Sequence, residues 1–178
     1  MSERLSKSDW IAHGLRALAD EGSKGLNVGP MAAALKVSRG SFYWHFRDIA
    51  DFRAQLLQSW QEEATDKVIR DLDARDRQAG RLQGLLRNAF ARRRKLDRAI
   101  RAWAATDAEA ADIVADVDRR RIEKIAALLL EAGVAKSAAR HRAAFLYWAY
   151  LGQAVTMAPG SSSIPAAALD DICALFES

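Results

Sequence analysis

Apolar residues recur at three- and four-residue spacing along most of the chain, and that period dictates helices. Ile11, Leu15 and Leu18 follow an i, i+4, i+7 pattern, and Val28, Met31, Ala32 and Leu35 follow i, i+3, i+4, i+7. Phe52, Leu56 and Trp60 continue the period; so do Leu82, Leu85, Leu86, Ala89 and Phe90, and later Ile113, Val114, Val117, Ile125 and Leu129. Little in the chain interrupts it. Only three prolines and ten glycines occur in 178 residues, amid abundant Ala, Leu, Arg, Asp and Glu, which is the composition of a helical protein. The expected fold class is all-α, with about nine helices.

Helix boundaries can be placed from capping chemistry. Ser6 followed three residues later by Asp9 predicts the start of the first helix, and Glu21-Gly22 and Gly25 end it. Asn27 is a favourable N-cap for a second helix, with Pro30 in its first turn, where a missing N–H costs nothing. That helix stops near Lys36 and Val37, and Ser38 is placed to cap a third at once. Two short helices separated by about three residues have the spacing of a helix-turn-helix.

The third helix carries the stretch Ser-Arg-Gly-Ser-Phe-Tyr-Trp-His-Phe over residues 38–46. Successive helical residues point about 100° apart, so one helix cannot bury all of these rings. Phe42 and Phe46 are four apart and share the face assigned to the core. Gly40 and Trp44 then lie opposite, flanked by Ser41 and Tyr43, with Arg39 and His45 at the edges. Gly40 costs about 0.8–1 kcal/mol in a helix relative to Ala, and its missing side chain would let a partner approach the backbone. Two readings remain open from the residues alone: a face that reads nucleic acid, or a surface helix whose Tyr-Trp-His patch packs on its neighbours.

The stretch LNVGPMAAALKVSRGSFYWHFRDIADFRAQLL resembles the DNA-binding signature of TetR-family transcriptional regulators over about the first third of the chain. The family's Gly-Val-Ser, a short stretch, Tyr, two variable residues and Phe correspond to Lys36-Val37-Ser38 through Tyr43 and Phe46. The resemblance implies that Arg39, Gly40, Ser41, Tyr43, Trp44 and His45 enter the major groove. Arg39 suits guanine O6 and N7 or a phosphate, Ser41 and Tyr43 suit phosphates, and Trp44 suits a thymine methyl or sugar. His45 is expected as a phosphate neighbour or core-edge residue. Two departures stand out. Lys36 replaces the family's turn glycine, and Ile49 replaces a lysine that touches phosphate at the start of the fourth helix. Arg47 is the expected substitute for that lysine, although Asp48, the expected cap, works against it.

The implied organisation is a three-helix helix-turn-helix DNA-binding domain over residues 4–64, then a helical effector-binding and dimerisation domain over 65–178. Beyond the reading head, the sequence predicts a long fourth helix, a charged stretch over 71–81 with a break at Gly80, and a fifth helix. A short sixth (96–103), a seventh (107–133), an eighth (137–158), a loop at 159–163 and a last helix (165–176) complete it. The eighth is apolar around most of its girth, so it is buried on more than one side. It is either an internal core helix or packs both in its own subunit and on a second copy, with Ala149, Gly152 and Ala154 permitting close approach. The resemblance implies a homodimer through the last two helices, matched to a pseudo-palindromic double-stranded operator. It also implies a pocket for a small apolar effector, with Trp60, Phe90, Trp103 and Tyr147 as candidate lining and Arg101 and His141 as candidate polar contacts.

The net charge of +4 and pI near 9.5 permit a nucleic-acid partner without demanding one. The basic clusters at 92–95 and 119–121 read as solvated helix faces, because Asp97, Asp116, Asp118 and Glu123 stand close by. The single cysteine, Cys173, excludes an intramolecular disulfide and suits a reducing cytoplasm. No apolar run is long enough for a membrane span. No phosphate-binding glycine loop, His-Glu-x-x-His or Ser/His/Asp arrangement is placed by motif, and His45 has no second His or Cys at ligand spacing. No cofactor, metal or catalytic residue is therefore expected. The expectation is a DNA-binding regulator, a repressor released by its effector. The alternatives are a partner-controlled or architectural DNA binder without an effector and, from another class, an enzyme on a helical scaffold.

Overall fold

The computed structural model describes residues 5–74, 80–91, 95–156 and 164–178. Among the described residues the fold is all-helical, without strands, and a helix that passes through a π turn counts as one, giving nine. They are α1 (Lys7–Glu21), α2 (Val28–Ala34), α3 (Arg39–Tyr43), α4 (Ile49–Gln61, then a π turn Glu62–Asp66, then Lys67–Asp73), α5 (Arg81–Ala91), α6 (Lys95–Ala104), α7 (Ala108–Glu131), α8 (Lys136–Leu151, then a π turn Gly152–Thr156) and α9 (Ala166–Glu177). No helix among these residues is long and apolar enough to cross a membrane. The expected loop at 159–163, the end of the eighth helix at 157–158, the basic residues 92–94, the middle of the charged stretch at 75–79 and residue 4 lie outside the described residues.

The described residues fall into two compact units, one from Met1–Ala64 with Lys95–Ala115, the other from Thr65–Arg94 with Asp116–Ser178. The first unit thus takes in residues 95–115, which the sequence groups with 65–178. Its local structure follows the caps. Ser6 and Asp9 form a capping box, with Asp9 N–H donating to Ser6 Oγ at 3.2 Å and Ser6 N–H donating to Asp9 Oδ2 at 2.8 Å. Asn27 Oδ1 accepts from Gly29 N–H at 3.1 Å to start α2, and Asp48 Oδ1 accepts from Asp51 N–H at 2.8 Å to start α4. Each such cap contributes about 1 kcal/mol.

An aromatic cluster holds the first unit together. The Phe42 ring lies 5.3 Å from that of Trp10, 5.0 Å from Phe46 and 5.4 Å from Phe52, and three of the four rings, Trp10, Phe42 and Phe52, are completely buried. Most of these contacts are edge-to-face, the arrangement that aromatic quadrupoles favour. Leu18, Met31, Leu56 and Leu57 are buried in the same unit. Helix α6 packs on α1 and on the 3-10 turn Gly22–Gly25, burying Ile100 and Trp103. Asp97 is buried on the same helix, and its Oδ1 accepts the Trp60 indole N–H at 2.8 Å. A buried carboxylate is tolerated only with such donors.

The second unit has its own core. Leu72, Leu82, Leu86, Ile125, Leu128, Leu129, Val134, Ala143, Leu146, Tyr147, Tyr150 and Cys173 form one buried cluster. Polar pairs rim it. Tyr147 Oη donates to Asp118 Oδ1 at 2.6 Å, Arg121 Nε donates to Thr65 Oγ1 at 3.0 Å, and Arg87 pairs with Asp170. The basic cluster on α7 is bound up in the same way. Arg119 pairs with Asp116 and Glu123, and Arg120 with Asp66 at 2.7 Å.

Candidate nucleic-acid interface

The turn between α2 and α3 is tight. Lys36 adopts φ 56°, the left-handed conformation in which a glycine is free of strain. The lysine thus takes up the glycine-favouring conformation without being a glycine. Lys36 N–H donates to Ala33 O and Val37 N–H to Ala32 O, at 3.1 and 3.0 Å, so the end of α2 is satisfied. Ser38 stands at the N-cap of α3, but its side chain makes no capping bond.

Helix α3 is shorter than the spacing predicts. Its regular part spans only Arg39–Tyr43. The winding nevertheless continues as a turn, with His45 N–H and Phe46 N–H both donating to Phe42 O, at 2.9 and 3.1 Å. Phe42 and Phe46 therefore still meet on one buried face. Opposite them, Tyr43 is 60% and Trp44 77% exposed. Arg39, Gly40 and Arg47 are exposed too, and Ser41 is half-buried. Among the expected contact residues, His45 stands apart. Its Nε2 lies 2.9 Å from Leu5 O and its ring is half-buried, which places it at the edge of the core.

The charged groups here differ in what they touch. Arg47 lies 3.9 Å from Asp51, whose carboxyl is held below the ordinary carboxylate range by the Arg47 backbone N–H and then by the Gln55 amide. Ile49 is half-buried at the start of α4. Arg39 behaves otherwise. Among the described residues it has no hydrogen bond or ion pair, and its guanidinium lies across Gly29 in the first turn of α2. A Cβ on Gly29 would come within 2.9 Å of Nη2 and 3.4 Å of Cζ and Nε. Sequence reasoning passed over Gly29, because nothing in the spacing tells that residues 29 and 39 meet.

The candidate effector residues are divided between the two units. Trp60, Arg101 and Trp103 belong to the first, where Trp60 and Trp103 are core residues; Phe90, His141 and Tyr147 belong to the second. Phe90 makes an edge contact with Tyr150 at 6.1 Å, and Tyr147 stacks on the same ring at 5.8 Å. His141 is exposed on α8 and is not part of that core. Of the expected dimer residues, Ala149 is exposed, while Gly152 and Ala154 are half-buried. The sequence missed the larger feature beside them. Phe145 and Trp148 are 60% and 64% exposed on α8, with Leu175 69% exposed on α9, and Phe145 stacks on Phe176 at 5.8 Å. Among the described residues no group of three or more His, Cys, Asp or Glu is placed to hold a metal ion. Comparison with known protein families finds no family model that matches the chain, and comparison with curated proteins finds no match.

Proposed function

We propose that this protein is a sequence-specific DNA-binding transcriptional regulator of the TetR type. It binds a pseudo-palindromic operator as a homodimer and is a repressor released by a small apolar effector. One observation carries the reading: Arg39, Tyr43, Trp44 and Arg47 are presented outward together from a short helix and turn that Phe42 and Phe46 anchor in an aromatic core. Exposed aromatic and basic groups on a buried-ring foundation supply both the charge for phosphates and the side-chain edges for bases. The exposed apolar residues of α8 and α9 support self-association, since surfaces of this kind are covered in most soluble assemblies. The aromatic content of the helical cores supports an apolar effector.

The test is a gel shift with duplex DNA flanking the protein's own coding region. The expected result is a complex that survives unrelated competitor DNA and weakens steeply with salt. Binding that unrelated competitor abolishes would remove sequence specificity from the reading. For the effector, apolar and aromatic compounds are screened by tryptophan fluorescence. A true effector weakens operator binding, and the operator weakens effector binding by the same factor. Hits that leave operator affinity unchanged would favour a partner-controlled DNA binder instead.

A further inference from the structure

Arg39 is a cation of the first unit with no anion beside it among the described residues. Lys95 pairs with Asp20, Arg47 approaches Asp51, and Lys7 lies over the Phe46 ring. Arg39 has none of these among the described residues, yet it is not simply extended into solvent. A Cβ on Gly29 would stand 2.9 Å from Nη2, too close for an ordinary contact, with Cζ and Nε in ordinary contact at 3.4 Å. Gly29 has an ordinary helical backbone and its N–H is already bonded to Asn27, so neither φ nor hydrogen bonding requires a glycine there. What the missing side chain provides is a seat for the guanidinium.

We infer that Gly29 is a positioning residue for Arg39 and helps set which base Arg39 reads. The inference rests on the DNA-binding reading above. Seated on α2, the guanidinium of an α3 residue has its direction restricted before DNA arrives, which lowers the ordering cost of binding. A bidentate contact to guanine O6 and N7 needs both hydrogen bonds in line at once. A methyl group at residue 29 pushes Nη2 away. Because Nη2 is the far end of a flexible side chain, the fold absorbs the change by a new Arg39 rotamer, and the aim of the fork changes instead.

The experiment is selection from a duplex library with a randomised centre, run on the full-length wild type, Gly29→Ala, Arg39→Ala and the double variant, with thermal unfolding of each. Arg39→Ala is expected to lose preference in one column of the selected motif and about 5- to 150-fold in affinity for the wild-type consensus. Gly29→Ala should change that same column, leave the other columns intact and not lower the unfolding temperature, since alanine gains helix propensity in α2. In the Arg39→Ala background, Gly29→Ala should be silent in both motif and affinity, because the group it displaces is gone. Failure of the wild type to select any motif would overturn the DNA-binding reading itself, and this inference with it. A wild-type motif that Gly29→Ala leaves unchanged, or changes in a different column from Arg39→Ala, would overturn the positioning role alone. Destabilisation by Gly29→Ala that persists in the Arg39→Ala background would also overturn it, because Gly29 would then serve the fold.

Discussion

Gly14 and Phe52 set how closely α1 and α4 pack: a Cβ on Gly14 would lie 2.5 Å from Phe52 Cζ and 2.8 Å from Leu56 Cδ1. Phe52 is fully buried among other rings and Leu56 is also fully buried, so neither can withdraw into solvent. Gly14→Ala gains helix propensity but overpacks the core, and overpacking costs about 1–3 kcal/mol. A lowered midpoint in urea with an unchanged slope is the expected result. An unchanged or raised midpoint would mean that α1 can move off α4 freely.

Lys36 stores strain at the turn before α3. A non-glycine residue in the left-handed region costs about 1–2 kcal/mol, part of which glycine returns through its greater freedom in the unfolded chain. Lys36→Gly should stabilise the protein by about 0.5–1 kcal/mol in chemical denaturation, even though it removes a side chain. Destabilisation would show that the lysine's φ of 56° is not strained in its surroundings.

Much of the first unit was legible because its determinants are local. Ser6 with Asp9, Asn27 and Asp48 each cap the helix that the sequence predicts, since a capping side chain acts within three residues of itself. Phe42 and Phe46 share a buried face for the same reason, being one turn apart. The shortening of α3 to five residues was not legible. It accompanies the bond between His45 and Leu5, forty residues away. Nor could spacing tell which side of α8 faces outward. Its apolar run covers most of its girth, so the exposure of Phe145 and Trp148 is decided by the core that Leu146, Tyr147 and Tyr150 join. The role of Asp97 was hidden likewise, because a carboxylate on an amphipathic helix normally faces water, and the indole of Trp60 that it meets lies 37 residues away.

That buried pair gives a third prediction. Trp60→Phe keeps an aromatic ring but removes the N–H that Asp97 accepts at 2.8 Å. Loss of a donor to a buried carboxylate costs about 1–3 kcal/mol, towards the upper end when the group is charged. Denaturant unfolding should show a loss in that range. A loss below about 0.5 kcal/mol would mean that water takes the indole's place.

The carboxylates of the first helix turns contribute to the acid limb of stability. Asp9 is held below its ordinary pKa of 3.8 by the Ser6 hydroxyl and then the Ser6 backbone N–H, and Asp51 by the Arg47 N–H and then Gln55. A carboxyl whose folded pKa is depressed contributes stability that is fully present above its unfolded pKa. That contribution is lost as pH falls through the folded value. Stability from these two groups should be level above about pH 5 and decline below pH 4. Asp51→Asn should flatten the decline. An identical acid limb in the variant would remove Asp51 from the account.

The apolar face of α8 and α9 supplies the last prediction, on assembly. Phe145, Trp148 and Leu175 leave large apolar areas exposed in a single chain, and burying such residues is worth about 1.5–3 kcal/mol each. If a second copy covers them, the wild type sediments as a dimer, and Phe145→Glu with Trp148→Glu gives folded monomers. The monomers should melt at a temperature independent of concentration, whereas the dimer's midpoint rises with concentration. Because both side chains are already exposed, replacing them with glutamate should not unfold the protomer. Gly152→Leu is an independent probe, since among the described residues nothing lies within 4 Å of a Cβ at that position. A leucine there fits the isolated protomer and interferes only with a neighbour that packs closely on it. Dimers that persist in the glutamate variants would place the contact elsewhere. On the proposed DNA-binding reading, a monomeric wild type would leave each head to bind a half-site alone, and affinity would then lose the gain that a tethered second head provides.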